Sequence, residues 1–181
     1  MKLRLIVAVA VAVVLAGSVA FSQPPKALKL EGAWVARVTS YEGAEYPYVG
    51  QWSYVLQPDP SGRSATLHGS IDLKFAQTTP ADVFSSPLIG ECVLTGPDTA
   101  RCFVLWYNIQ KGNPVNQILY IGTVNSEVTR LGPGSFEVTH HFAIYPPNAD
   151  ADGDGIPETG SPTKTFAVTT HDTRVPQPVV Q

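Results

Sequence analysis

The clearest chemical spacing in the chain is Asn148-Ala-Asp150-Ala-Asp152-Gly-Asp154-Gly155-Ile-Pro-Glu158. With Asp150 as the first loop position, carboxylates fall at positions one, three and five, and Glu158 at nine. Gly155 takes position six, where a sharp turn lets the carbonyl of Ile156 point inward at position seven. Short acids at alternate positions, bent around one point, supply the oxygen shell of a hard cation such as Ca²⁺. The implied ligands are the side chains of Asp150, Asp152, Asp154 and Glu158 and the main chain of Ile156. Without a cation, the same residues form a solvated acidic turn whose charges repel one another.

Cys92 and Cys102 are the only cysteines. A hairpin turning at Pro97 pairs Leu94 with Ala100 and Cys92 with Cys102. Directly opposed cysteines on neighbouring strands approach disulfide geometry. The alternative is two buried thiols. The four histidines are His68, His140, His141 and His171. His140 and His141 are adjacent, so on a strand they face opposite ways and cannot share a metal. His141 and His171 would meet only if the last two strands bring them level, and a third zinc ligand is not evident. The plainer reading is one core histidine with a hydrogen-bond partner and three on the surface. No Gly-x-Ser-x-Gly, His-Glu-x-x-His or phosphate-binding loop occurs,.

Two short resemblances add to these readings. Residues 150–158 resemble the calcium loops of thrombospondin type 3 repeats and related bacterial exported proteins, of the form D-x-D-x-D-G-x-x-[DE]. That resemblance implies Asp150, Asp152, Asp154 and Glu158 as side-chain ligands. The loop departs from the EF-hand: position twelve is Ser161 instead of Glu, and Pro146, Pro147 and Pro157 exclude flanking helices,. Separately, Gly32-Ala33-Trp34 resembles the Gly-x-Trp of lipocalins and other calycin barrels. It implies a barrel holding a small apolar ligand, with Trp34 closing the base.

The elements that must position these residues are strands. All 16 prolines and 14 of the 15 glycines follow Ser22, so helices of ordinary length have almost nowhere to sit,. The longest breaker-free stretch after Ser22, residues 98–111, contains Arg-Cys-Phe-Val-Leu-Trp-Tyr and reads as strand,. Strands are expected over 31–40, 50–57, 64–73, 91–95, 101–108, 117–129 (with Gly122 as a place to bend), 135–145 and 164–171. Residues 74–90 show no period and are expected to form a loop. Alternation puts Leu30, Trp34, Ala36 and Val38 on one face, as it does Trp52, Tyr54 and Leu56. The same holds for Phe136, Val138, His140, Phe142 and Ile144. One packed face per strand is the antiparallel pattern. The fold class is therefore all-β: a single antiparallel domain of about eight strands, closed as a barrel or packed as a two-sheet sandwich.

Lys2 and Arg4 precede an uncharged run from Leu5 to Ala20 and the small-residue pattern Ala20-Phe21-Ser22. This reads as a signal peptide over residues 1–22, leaving one β domain over 23–181. The alternative, a membrane anchor, would use a run short for spanning. After cleavage the net charge is −5, against −3 for the whole chain, and the four loop acids account for most of it. That excludes a basic nucleic-acid binder, and no later run is apolar enough to span a membrane. The expected location is secreted or periplasmic. The expected function is a non-enzymatic exported barrel or sandwich with a Ca²⁺-ordered loop, acting in envelope or extracellular interaction. Its partner would be a protein, a glycan or a small apolar ligand. The alternatives are a lipocalin-like carrier of a small apolar molecule and an extracytoplasmic hydrolase.

Overall fold

A computed structural model describes residues 28–45, 51–71, 83–112 and 115–176. The proposed leader, 1–22, lies outside them. Among the described residues ten strands form in chain order: β1 Gly32–Tyr41, β2 Ala44–Glu45, β3 Gln51–Pro58, β4 Ser64–Ile71, β5 Val83–Ser85, β6 Leu88–Leu94, β7 Thr99–Gln110, β8 Gln117–Gly132, β9 Ser135–Tyr145 and β10 Lys164–Arg174. Eight of them follow the order β10-β9-β8-β7-β6-β4-β3-β1, and β1 pairs back onto β10. The sheet therefore closes on itself as an antiparallel barrel, which overturns the sandwich alternative. The closing seam runs from Trp34 opposite Arg174 to Tyr41 opposite Val168. Short β2 extends β1, and short β5 pairs with the far end of β7.

An eight-stranded barrel encloses just enough room for its own side chains. The inward positions are those the alternation marks: Leu30, Trp34, Ala36, Trp52, Tyr54, Leu56, Phe136, Val138 and Phe142 are all buried. Closure also removes the exposed edges that an open sheet would offer to other chains.

The two ends of the barrel differ. At one, tight turns join β3 to β4, β6 to β7 and β8 to β9, and the chain before β1 crosses to give the Leu28 N–H to the Pro97 carbonyl at 2.7 Å. Trp34 is buried there, stacked on Phe136 with ring centroids 4.0 Å apart. The preceding Gly32 has φ +96°, and a Cβ on it would lie 2.8 Å from Nε of Arg174. The guanidinium occupies that space and donates to Glu31 at 3.3 Å, so glycine two residues before Trp34 has a local packing reason. The opposite end carries the longer connections, including the acidic segment between β9 and β10.

Several expected boundaries shift. The loop expected over 74–90 is partly strand. Val83–Ser85 pairs with β7, and Leu88–Gly90 begins β6. Pro87 interrupts one bent strand instead of ending a loop, while residues 72–82 lie outside the described chain. Gly90 is not a breaker either, since a Cβ there would meet the Phe103 carbonyl at 2.1 Å. Gly122 seats a ring and makes no bend: it pairs with Trp106, whose indole fills the space where a Cβ would stand. The irregularities in that pairing fall instead between Asn108 and Ile109.

Candidate metal centre and barrel interior

The segment between β9 and β10 folds against the outer wall of the barrel. A 3-10 turn, Pro147–Ala149, packs on β8, and Ala149 is buried. Its carbonyl receives the N–H groups of Glu158 and Thr159 at 3.0 and 3.1 Å, which brings the two ends of the acidic loop together. Leu105, Ile121 and Thr123 alternate with inward residues of β7 and β8, yet are buried on this wall.

Within the loop, carboxylates gather main-chain N–H groups. Asp150 accepts from Gly153 at 2.8 Å and from Gly155 at 2.9 Å. Asp152 accepts from Asp154, Asp154 from Ile156, and Glu158 reaches back to Ala151 at 2.8 Å. The chain must turn sharply to do this, and Gly153 and Gly155 supply φ of +82° and +92°,. As a result Asp150, Asp152, Asp154 and Glu158 each place one oxygen within 4.8 Å of the others. These four expected side-chain ligands are together, mostly exposed, and able to hold a metal ion. Ile156, expected to offer its carbonyl, follows in the same turn and is 45% exposed.

Tyr107 ties the loop to the barrel. It faces outward on β7 and donates its hydroxyl to the Gly155 carbonyl at 3.0 Å. Burial raises its pKa, and the charges of Asp150 and Asp154 raise it further. A Cβ at Gly155 would lie 2.3 Å from that hydroxyl. Nothing in the sequence points to Tyr107, which is 43 positions from Asp150, and only the barrel brings the two segments together.

The barrel interior holds a second constellation. Tyr54 donates to Asp172 at 2.6 Å and Thr170 donates to its other oxygen at 2.5 Å. His140 lies between Thr170, 2.9 Å from Nε2, and Ser126, 2.8 Å from Nδ1. Because Thr170 gives its one proton to Asp172, it accepts from Nε2–H, and Ser126 then donates to Nδ1. All the protons in the chain therefore point toward Asp172. Burial raises Asp172 to about 6, against the pull of Thr170, Tyr54 and His171. Burial lowers His140 to about 3, with His141 adding to the effect. Burial and the neighbouring Asp172 hold the Tyr54 hydroxyl well above its usual range. The signal for Asp172 is the alternation Val168, Thr170, Asp172 on the last strand, which places it inward.

His140 is thus the core histidine, while His68, His141 and His171 are exposed. His141 stands opposite Ala167 and His171 opposite Glu137, so the last two strands do not bring these two level. Cys92 and Cys102 are directly paired and joined as a disulfide on the inward face. An interior cavity of about 50 Å³ lies among them, bordered by Trp52, His140, Phe142 and Asp172. Among the described residues, no helix is long and apolar enough to cross a membrane.

No family model and no curated protein matches the chain. A solved structure of EF1p2_mFAP2b bound to DFHBI aligns with 81% of this chain and 94% of its own, at 19% identity and a TM-score of 0.46. At that level the alignment has no bearing on ligand or activity.

Proposed function

We propose that this chain is an exported, non-enzymatic β-barrel module whose β9–β10 loop is ordered by Ca²⁺ for envelope or extracellular interaction. The observation that carries the reading is the convergence of Asp150, Asp152, Asp154 and Glu158 within 4.8 Å of one another. Hard oxygens on a flexible, glycine-bearing turn suit Ca²⁺ better than Mg²⁺, which demands stricter octahedral geometry. Export is supported by the basic and apolar leader and by the Cys92–Cys102 disulfide, since such bonds persist in oxidising compartments,.

The hydrolase alternative would draw on Ser126 and His140, but both are buried and their partners are other interior side chains. The carrier alternative meets a described cavity of about 50 Å³, whereas pockets for drug-sized ligands run to roughly 300–1,000 Å³. Thermal unfolding with and without millimolar Ca²⁺, alongside intact mass of exported material, tests the proposal. A Ca²⁺-specific rise in melting temperature and an N-terminus near Gln23 are expected. No calcium-dependent shift, or a retained leader in secreted protein, would contradict it.

A further inference from the structure

Beneath the stacked rings of Trp34 and Phe136, the closed end of the barrel carries a cleft of about 250 Å³. Phe136 borders both this cleft and the smaller interior cavity, and so stands between them. The rim residues Lys29 and Pro133 are exposed, so the cleft opens to solvent. Strand alternation explains what lines it. On β8 the inward series Val124, Ser126, Val128 leads to Arg130, and on β10 the series Val168, Thr170, Asp172 leads to Arg174. Both arginines therefore belong to the inward face, one pleat below the last buried layer, where the barrel meets water. The chain before β1 adds Leu28, Lys29 and Glu31, and the β8–β9 turn adds Pro133 between two glycines.

The charges in this cleft do not balance. Three of the eight lysines and arginines among the described residues line it, although the chain after residue 22 carries a net charge of −5. Glu31 is the acid of the lining, and one of its oxygens answers both Arg174 Nη2 at 3.3 Å and Lys29 Nζ at 3.9 Å. Asp98, in the β6–β7 turn, accepts from Arg130 Nη1 at 3.2 Å. Among the lining residues and these ion-pair partners, three cations meet two acids. The arginine side chains are only 19% and 34% exposed, so the excess positive charge is screened less than on an open surface,.

A planar carboxylate matches the parallel N–H pairs of a guanidinium. One negative charge neutralises the excess, whereas a doubly charged phosphate would reverse it. Leu28 and Pro133 set apolar surface beside the cations. The volume falls just under the roughly 300–1,000 Å³ of drug-sized pockets, which calls for a small ligand.

We propose that the cleft beneath the Trp34–Phe136 stack binds a small organic monocarboxylate, its carboxylate held by Arg130 and Arg174 and its apolar body set against Leu28 and Pro133. The site lies at the opposite end of the barrel from the acidic loop and stands or falls without it.

The test titrates the purified ¹⁵N-labelled protein. The Gly132 and Gly134 amides report on the cleft, and those of Gly153 and Gly155 serve as a remote control. Benzoate carries both the charge and the body, benzamide the body alone, acetate the charge alone, and inorganic phosphate a larger charge. Benzoate should shift the Gly132 and Gly134 signals saturably at millimolar concentration and leave the control signals in place. Benzamide should bind about tenfold more weakly, the worth of one charge-assisted hydrogen bond. Acetate and phosphate should also bind more weakly than benzoate. Arg130→Gln and Arg174→Gln should each weaken benzoate by about tenfold and leave benzamide unchanged. No saturable shift, equal binding of benzoate and benzamide, or benzoate binding that survives both substitutions would overturn the proposal. Acetate or phosphate matching benzoate would reduce the cleft to a general anion site and overturn it equally. Arg174 packs over Gly32; if Arg174→Gln fails to fold, Arg130→Gln and the wild-type series still decide the matter.

Discussion

Asp172→Asn isolates the interior proton balance. In the folded barrel Asp172 titrates at about 6 and His140 at about 3, whereas in the unfolded chain the ordinary values are about 3.9 and 6.5. Between roughly pH 4 and 6, the unfolded chain carries a proton on His140 and none on Asp172. The folded chain carries one on Asp172 and none on His140. The counts are equal, so these two groups together leave stability flat across that window. Their separate contributions are opposed. The raised Asp172 adds stability that is complete below about pH 4 and lost as pH rises through 6. The depressed His140 adds stability that is complete above pH 6.5 and lost as pH falls toward 3. Asp172→Asn deletes the first and keeps the second. Wild type should therefore gain on the variant by up to about 1.4 kcal/mol per pH unit, or about 2 kcal/mol in all on going from pH 6 to 4, because the two pKa values sit at the ends of that window. Urea unfolding of both proteins at pH 6, 5 and 4 measures the difference, and the other acids cancel between them. Any loss from mismatching the Tyr54 and Thr170 donors adds a constant offset. A difference that stays constant with pH would refute the reasoning, because it would mean Asp172 titrates alike in both states.

Gly155→Ala should loosen the acidic loop without unfolding the barrel. The new Cβ displaces the Tyr107 hydroxyl and strains a φ of +92°, costing about 2 kcal/mol locally. Calcium titration of the variant should show weaker binding than wild type, with a small change in calcium-free melting. Replacing Cys92 and Cys102 together by serine should destabilise by about 3 kcal/mol from the freed ten-residue separation,, measured as a lower urea midpoint.

The acidic cluster was legible because its carboxylates are local: four in nine residues need only a turn to converge. The disulfide was legible for the same reason, since a hairpin register follows from one turn. Strand alternation also placed Trp52, Tyr54, His140 and Phe142 inside before any topology was known. Closure was not legible, because it depends on β1 meeting β10 across nearly the whole chain. Asp172 beside Tyr54 was hidden with it, since β10 reaches β3 only through β1, and Tyr107 comes under the loop only through the pairing of β7, β8 and β9. Proline and glycine misled where they serve packing, as Gly90 does against Phe103 and Gly122 under Trp106.

Calorimetric titration of the purified protein with Ca²⁺, run beside Asp152→Ala, tests the metal centre most directly. Wild type should bind one ion with a dissociation constant of about 10⁻⁴–10⁻³ M, the weak range set by the missing acid at position twelve. At ten times that concentration binding should stabilise the fold by about 1.4 kcal/mol. Asp152→Ala should give no calcium heat while keeping its calcium-free melting temperature. Absence of heat from wild type, or equal heat from the variant, would contradict calcium binding by Asp150, Asp152, Asp154 and Glu158.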